Sequence, residues 1–251
     1  MVKSILFYFI WAFALFSTSC GPLSGEKKVL DKNEPWKRPE NLFILNPRLM
    51  AFVIIDMQNF SCSREAGSNM PGIGGVVANI NRLAYSCREM KIPVIWVCHN
   101  ITSDGTHNDA GLFSLFHSPQ HLERTMNLGK GTELYPEMHC DSSRDYIVFK
   151  NRYSAFLSDP PELREKIDSL KKTQLVVAGV AANVCVESTV RDAMQLGYEV
   201  VLVSDGVAAA NDSFLKSTLM NTRLFFGDVR TTDKIIDALH NVRAQKEESL
   251  R

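Results

Sequence analysis

The feature that most limits what this chain can fold into is a rhythm of short apolar runs, each closing on a polar residue or a glycine. Ala51-Phe-Val-Ile-Ile55 closes on Asp56, and Pro93-Val-Ile-Trp-Val-Cys98 closes on His99. Tyr146-Ile-Val-Phe149 closes on Lys150, Leu175-Val-Val-Ala178 on Gly179, and Glu199 to Val203 on Ser204-Asp205. Phe225 to Val229 reads as a sixth short strand. A strand apolar at consecutive positions has no solvated face and is covered on both sides, as in a parallel sheet. Longer segments with helical spacing separate the runs. Gly75 to Lys91 places Val76, Ile80, Leu83 and Cys87 on one face. Pro160 to Leu170, Asn183 to Leu196, Asn211 to Leu224 and Thr231 to Val242 are the other expected helices. This alternation predicts an α/β fold: one domain, a parallel six-stranded sheet, helices on both faces. The stretch from His99 to Cys140 is rich in Gly, His, Ser and Asn and reads as one long irregular connection.

The rest of the chain divides around that body, expected over residues 48–243. Residues 1–20 read as a leader. Lys3 gives a positive start, Ile5 to Phe16 is an unbroken apolar run, and Ser17, Thr18 and Ser19 lead to Cys20. Twelve apolar residues are short for a membrane span but suit the core of an export signal. Cys20 resembles a bacterial lipoprotein acceptor, so the expectation, if this segment is a true leader, is an exported protein, periplasmic, secreted or attached to a membrane through it, and otherwise a cytoplasmic one. Residues 21–47, broken by four prolines, read as an arm that Trp36 and Phe43 pin to the domain. Residues 244–251 read as a frayed charged tail. Twenty-eight basic residues balance twenty-eight acidic ones, which gives no reason to expect a nucleic-acid partner.

In open parallel sheets, ligands bind beyond the carboxyl ends of the strands. Those ends supply Asp56, His99, Lys150, Gly179 with Cys185 just beyond, and Asp205. A carboxylate, an amine and a thiol therefore fall at one edge. Lys150 and a helix start at Cys185 would favour a thiolate, and Asp56 would accept the thiol proton. Asp205 reads as a structural hydrogen-bonding group. Cys62, Cys87, Cys98 and Cys140 read as structural, with any pairing left open by their spacing. Gly72-Ile-Gly-Gly75 reads as a turn before a helix rather than a phosphate loop, because it does not follow a strand.

Three segments carry a resemblance. Ile54-Ile-Asp56-Met-Gln-Asn59, then Phe149-Lys150-Asn-Arg-Tyr-Ser-Ala-Phe156, then Val177-Ala-Gly-Val-Ala-Ala-Asn-Val-Cys185-Val-Glu-Ser-Thr-Val-Arg-Asp-Ala193 resemble the isochorismatase-like cysteine hydrolases in order and spacing. The likeness spans about Phe43 to Val242 and is strongest to the ureidoacrylate and N-carbamoylsarcosine amidohydrolase branches. It implies that Asp56 is a general base, Lys150 a charge stabiliser and Cys185 a nucleophile. It also implies a cis peptide between Val180 and Ala181, and an oxyanion hole from the backbone N–H groups of Ala181 and Cys185. Many relatives carry Thr where this chain has Ala182. Gln58, Asn59, Tyr153 and Phe156 become candidate substrate contacts, with Phe156 and Trp96 read first as pocket wall or core. The implied substrate is a small amide or ureido compound, with no cofactor, and the implied assembly is a homo-oligomer.

Two other readings stay open. Nicotinamidases, a sister branch, bind a metal through an Asp-x-His pattern plus a further His. His99, His107, Asp104 and Asp109 are scattered without that pattern, so the expectation is no metal. The second reading is a non-catalytic exported binding protein that keeps the fold. The intact set of Asp56, Lys150 and Cys185 argues against it.

Overall fold

The computed structural model describes residue 38, residues 41–65, 68, 70–103 and 111, and residues 113–248. The expected leader, Trp36, and the His107, Asp104 and Asp109 group lie outside the described residues. Six strands form one sheet: β1 (Met50–Ile55), β2 (Val94–His99), β3 (Tyr146–Lys150), β4 (Gln174–Gly179), β5 (Glu199–Val207) and β6 (Asp228–Arg230). Their spatial order is β3-β2-β1-β4-β5-β6 and every pairing is parallel. The α-helices are α1 (Asn59–Cys62), α2 (Ile73–Glu89), α3 (Phe113–Phe116), α4 (Pro119–Arg124), α5 (Glu162–Ser169), α6 (Glu187–Gln195), α7 (Asp212–Asn221) and α8 (Thr232–Glu248).

The alternation of strand side chains sorts the core into two layers. Phe52 and Ile54 of β1 face Ile80 and Leu83 of α2 and Ile235 and Leu239 of α8. Val53 and Ile55 face Leu163 and Ile167 of α5 and Val190 and Ala193 of α6. Helices on both faces explain why β1, β2 and β4 are buried at every position, with no polar alternation. Trp96 is wholly buried, its indole N–H donating to Asp145 at 2.8 Å. Asp205 accepts from the Thr232 backbone and hydroxyl at 2.8 and 2.9 Å, the structural bond expected of it. Phe43 packs against the first layer and its carbonyl accepts from the buried Arg230, so this part of the arm is pinned.

Several boundaries differ from the sequence expectation. The His99–Cys140 connection contains α3, α4 and a turn of 3₁₀ helix, Lys130–Thr132. β5 runs on to Val207. The helix carrying Cys185 opens as a π-helical turn, Ala182–Val186, before α6. α8 continues past Arg243 through Ala-Gln-Lys-Glu-Glu, all strong helix formers, where fraying was expected. Gly72 precedes α2 with φ at 75°, as a turn residue.

Candidate active site

In this strand order, the chain leaves β1 in one direction for β2 and β3 and in the other for β4, β5 and β6. The crevice between the carboxyl ends of β1 and β4 is thus a topological switch point. Asp56 stands at the end of β1, and the turn after β4 carries Cys185. Lys150 ends β3, two strands away, and its long side chain crosses the β2 end to reach them.

Local geometry aims each group. Asp56 sits in the left-handed region, φ 51°, uncommon for a non-glycine residue and more tolerated by Asp than by most. Its N–H donates to Val97 O at 2.9 Å, while its own carbonyl accepts from the Ser61 hydroxyl and from Gln58 N. The strand end is thereby fixed on both sides. Gly179 approaches β1 so closely that a Cβ there would lie 2.1 Å from Ile55 O. Val180–Ala181 is a cis peptide, as the resemblance implied. Thr189 accepts from Ala155 N and donates to Cys185 O at 2.7 Å, tying the thiol-bearing turn to the segment after β3.

The Lys150 ammonium is the hub. It lies 2.9 Å from Asp56 Oδ2, 3.3 Å from Cys185 Sγ, 3.0 Å from Arg152 O and 3.3 Å from His99 Nδ1. Both members of the ion pair are buried. Asp56 Oδ1 is also buried and has no hydrogen-bond partner among the described residues. Burial raises the Asp56 carboxyl above the usual carboxylate value, against the pull of Lys150. Burial opposes the charge on Lys150, but Asp56 and Cys185 together hold its pKa up. The Cys185 thiol is pushed up by burial first and by Asp56 second. The sequence expectation of a thiolate favoured by the helix start is therefore replaced. The Asp56 and Lys150 charges offset each other at the sulfur, desolvation decides, and the resting group is a thiol. His99 is held well below its ordinary value by burial and then by Lys150, so it is neutral and accepts at Nδ1.

These groups border a cavity of about 290 Å³, at the small end of small-molecule sites. Asp56, Val180, Ala181, Val184 and Cys185 line its inner side. Tyr153 lines it too, its hydroxyl 2.9 Å from His117 Nε2. The structure does not bring the other candidate contacts to the wall. The Gln58 amide donates to His99 O and Thr132 O and accepts from His99 N, bracing the β2 end. The Asn59 amide donates to Lys130 O on the outside. Phe156 is buried in the second core layer, stacked on Tyr198.

Sequence reasoning missed Phe60, Phe113, His117 and His121, all of which line the cavity. A signal existed. Ser118-Pro119 is a helix-start pair, and the Ser118 hydroxyl does accept from His121 N at the start of α4. Among the described residues, no group of three or more His, Cys, Asp or Glu is placed to hold a metal ion.

Residues 50–234 match the family model of the isochorismatase domain. A ureidoacrylate amidohydrolase from Enterobacter sp. (strain 638) is 31% identical over 229 residues, covering 80% of this chain and 94% of that protein. Nicotinamidase 3 of Arabidopsis thaliana is 29% identical over 191 residues, covering 76% and 88%. A crystal structure of a cysteine hydrolase from Pseudomonas syringae pv. phaseolicola 1448A superposes with a TM-score of 0.74 at 25% identity, covering 81% and 98%. The chain belongs to the isochorismatase family.

Proposed function

We propose that the chain is a cysteine-dependent amidohydrolase acting on a small amide or ureido carbonyl. The observation that carries this is the Lys150 ammonium held within 3.3 Å of both Asp56 and Cys185 at the cavity. As the substrate carbonyl arrives, Cys185 Sγ bonds to its carbon and the thiol proton passes to Asp56. The Ala181 and Cys185 amides receive the developing oxyanion; removing one such donor typically costs about 10²–10³ in rate. The C–N bond breaks and Asp56 returns its proton to the leaving nitrogen. Water then attacks the thioester or thiocarbamate, Asp56 takes its proton, and the C–S bond breaks to restore the thiol. Lys150 keeps Asp56 ionised enough to act, and its charge offsets the negative charge that forms beside it. Nicotinamidase chemistry is the second reading, supported by the plant relative and the aromatic character of the cavity.

Ammonia release by the purified protein from a panel of ureido acids, primary amides and nicotinamide tests the proposal. Cys185→Ala is expected to abolish release while the far-ultraviolet spectrum and melting transition stay as in the wild type. Turnover near wild type in that variant would overturn the mechanism.

Export by the 1–20 segment and assembly into a homo-oligomer rest on sequence pattern and family resemblance, and we carry them as proposals. Cell fractionation is expected to recover the protein outside the cytoplasm. Light scattering is expected to give a multiple of 28.2 kDa for the uncleaved chain. A cytoplasmic pool alone, or a monomer mass alone, would contradict the respective proposal.

A further inference from the structure

Part of the cavity wall is a closed circuit of rings. Phe60 meets His99 at 6.1 Å between centroids, and His99 meets Phe113 at 5.8 Å. Phe113 meets His117 at 6.2 Å, His117 stacks on His121 at 4.4 Å, and His121 returns to Phe60 at 6.0 Å. Tyr153 joins from the side, 4.7 Å from Phe113. All six residues line the cavity.

Charge is missing from this wall. Among the described lining residues there is no Lys or Arg, and Asp56 is the sole acid. The nearby Lys150 is already engaged by Asp56, Cys185, Arg152 O and His99, and Arg152 and Arg124, whose charges act on His99 and His121, are not lining residues. Burial lowers the pKa values of His99, His117 and His121, which leaves the girdle neutral around neutral pH. A carboxylate entering here would lose its water, find no Lys or Arg among the described lining residues, and meet the negative faces of the rings. A flat neutral group would instead stack on them, and the Tyr153–His117 pair supplies one polar contact for its rim.

We propose that this girdle makes the enzyme selective for a flat, uncharged acyl group about one ring in size, and that it rejects substrates bearing a carboxylate. The inference rests on the amidohydrolase reading and narrows it. It separates this chain from the relative named for ureidoacrylate, whose acrylate part is itself a carboxylate.

Calorimetric titration of the Cys185→Ser protein tests the girdle without the chemistry. The probes are benzamide, 4-carboxybenzamide, cyclohexanecarboxamide and 3-ureidopropionate. Benzamide is expected to bind at least about tenfold more tightly than 4-carboxybenzamide, with the puckered ring between them and the ureido acid weakest. Leu122→Arg, which puts a cation on the half-exposed rim of the same wall, is expected to narrow that preference or invert it. Equal or tighter binding of either carboxylate to the Cys185→Ser protein overturns the proposal, as does no binding of any probe. Ammonia release by the wild type separates the two claims. Cys185-dependent release confined to ureido acids keeps the amidohydrolase and removes the girdle's role. Selective benzamide binding with no release from any amide keeps the girdle and removes the amidohydrolase.

Discussion

At the scale of single residues, Asp56 sets how the centre responds to pH. The base must be ionised to take the thiol proton, and burial raises its pKa above the ordinary 3.8. As pH falls, kcat/KM is therefore expected to decline on a limb whose midpoint lies above 3.8, because the carboxylate is lost at a higher pH than in water. No alkaline limb is expected near neutrality, because Cys185 and Lys150 are both shifted upward. A pH profile on any turned-over amide checks this, and an acid midpoint at or below 3.8 would contradict it. The three groups titrate as a coupled set, so the midpoint belongs to the set rather than to Asp56 alone. Asp56 and Lys150 were legible in the sequence as strand ends, and Cys185, beyond the β4 end, through the motif that carries the family resemblance. The thiol's protonation was not legible, since it depends on how completely the fold buries Cys185 beside Asp56 and Lys150.

At the scale of elements, the β1–β4 contact decides whether the residues meet. Gly179 has φ at 119° and lies against Ile55, so no side chain fits without parting the two strands. Gly179→Ala is expected to lower stability by more than about 3 kcal/mol, through backbone clash and a conformation that L-residues avoid. It is also expected to separate Asp56 from Cys185. Urea unfolding and ammonia release read the two effects, and a variant within about 0.5 kcal/mol of wild type would remove the close approach from the argument. The strands and long helices were readable because a continuous apolar run and a 3.6-residue period each have one simple geometric meaning. The connection from 99 to 140 was not. Its helices, α3 and α4, are four and six residues long, too short to show a period, and they are held by the cavity they help to line. Gln58 failed for a related reason: a motif places a residue near a site, but only the fold shows that its amide braces the β2 backbone.

At the scale of the whole molecule, the neutral imidazoles of the girdle tie ligand selectivity to folding. His99, His117 and His121 are all held below 6.5, chiefly by burial. The unfolded chain takes up protons near pH 6.5, whereas the folded chain resists until lower pH. Below about 6.5 the unfolded state binds more protons, so stability falls as pH falls through the window between the unfolded and folded values. His99, the most buried, contributes a slope of up to about 1.4 kcal/mol per pH unit there. His117 and His121 are partly solvated and contribute less. The carboxylates of Asp141, Asp145 and Glu187, shifted downward by their partners, add their loss only in more acid solution. Asp56, shifted upward, acts in the opposite sense, because its folded form takes up a proton before the unfolded one does. The urea midpoint is therefore expected to hold between pH 8 and 7 and to drop between 6.5 and 5, ahead of general acid unfolding. His121→Gln, which removes one of the three groups without touching Lys150, is expected to make that drop shallower. A midpoint flat from pH 8 to 5 in the wild type, with a pH dependence that His121→Gln leaves unchanged, would mean that the imidazoles are solvated rather than offset by Asp56, and the neutral girdle would lose its physical basis with them.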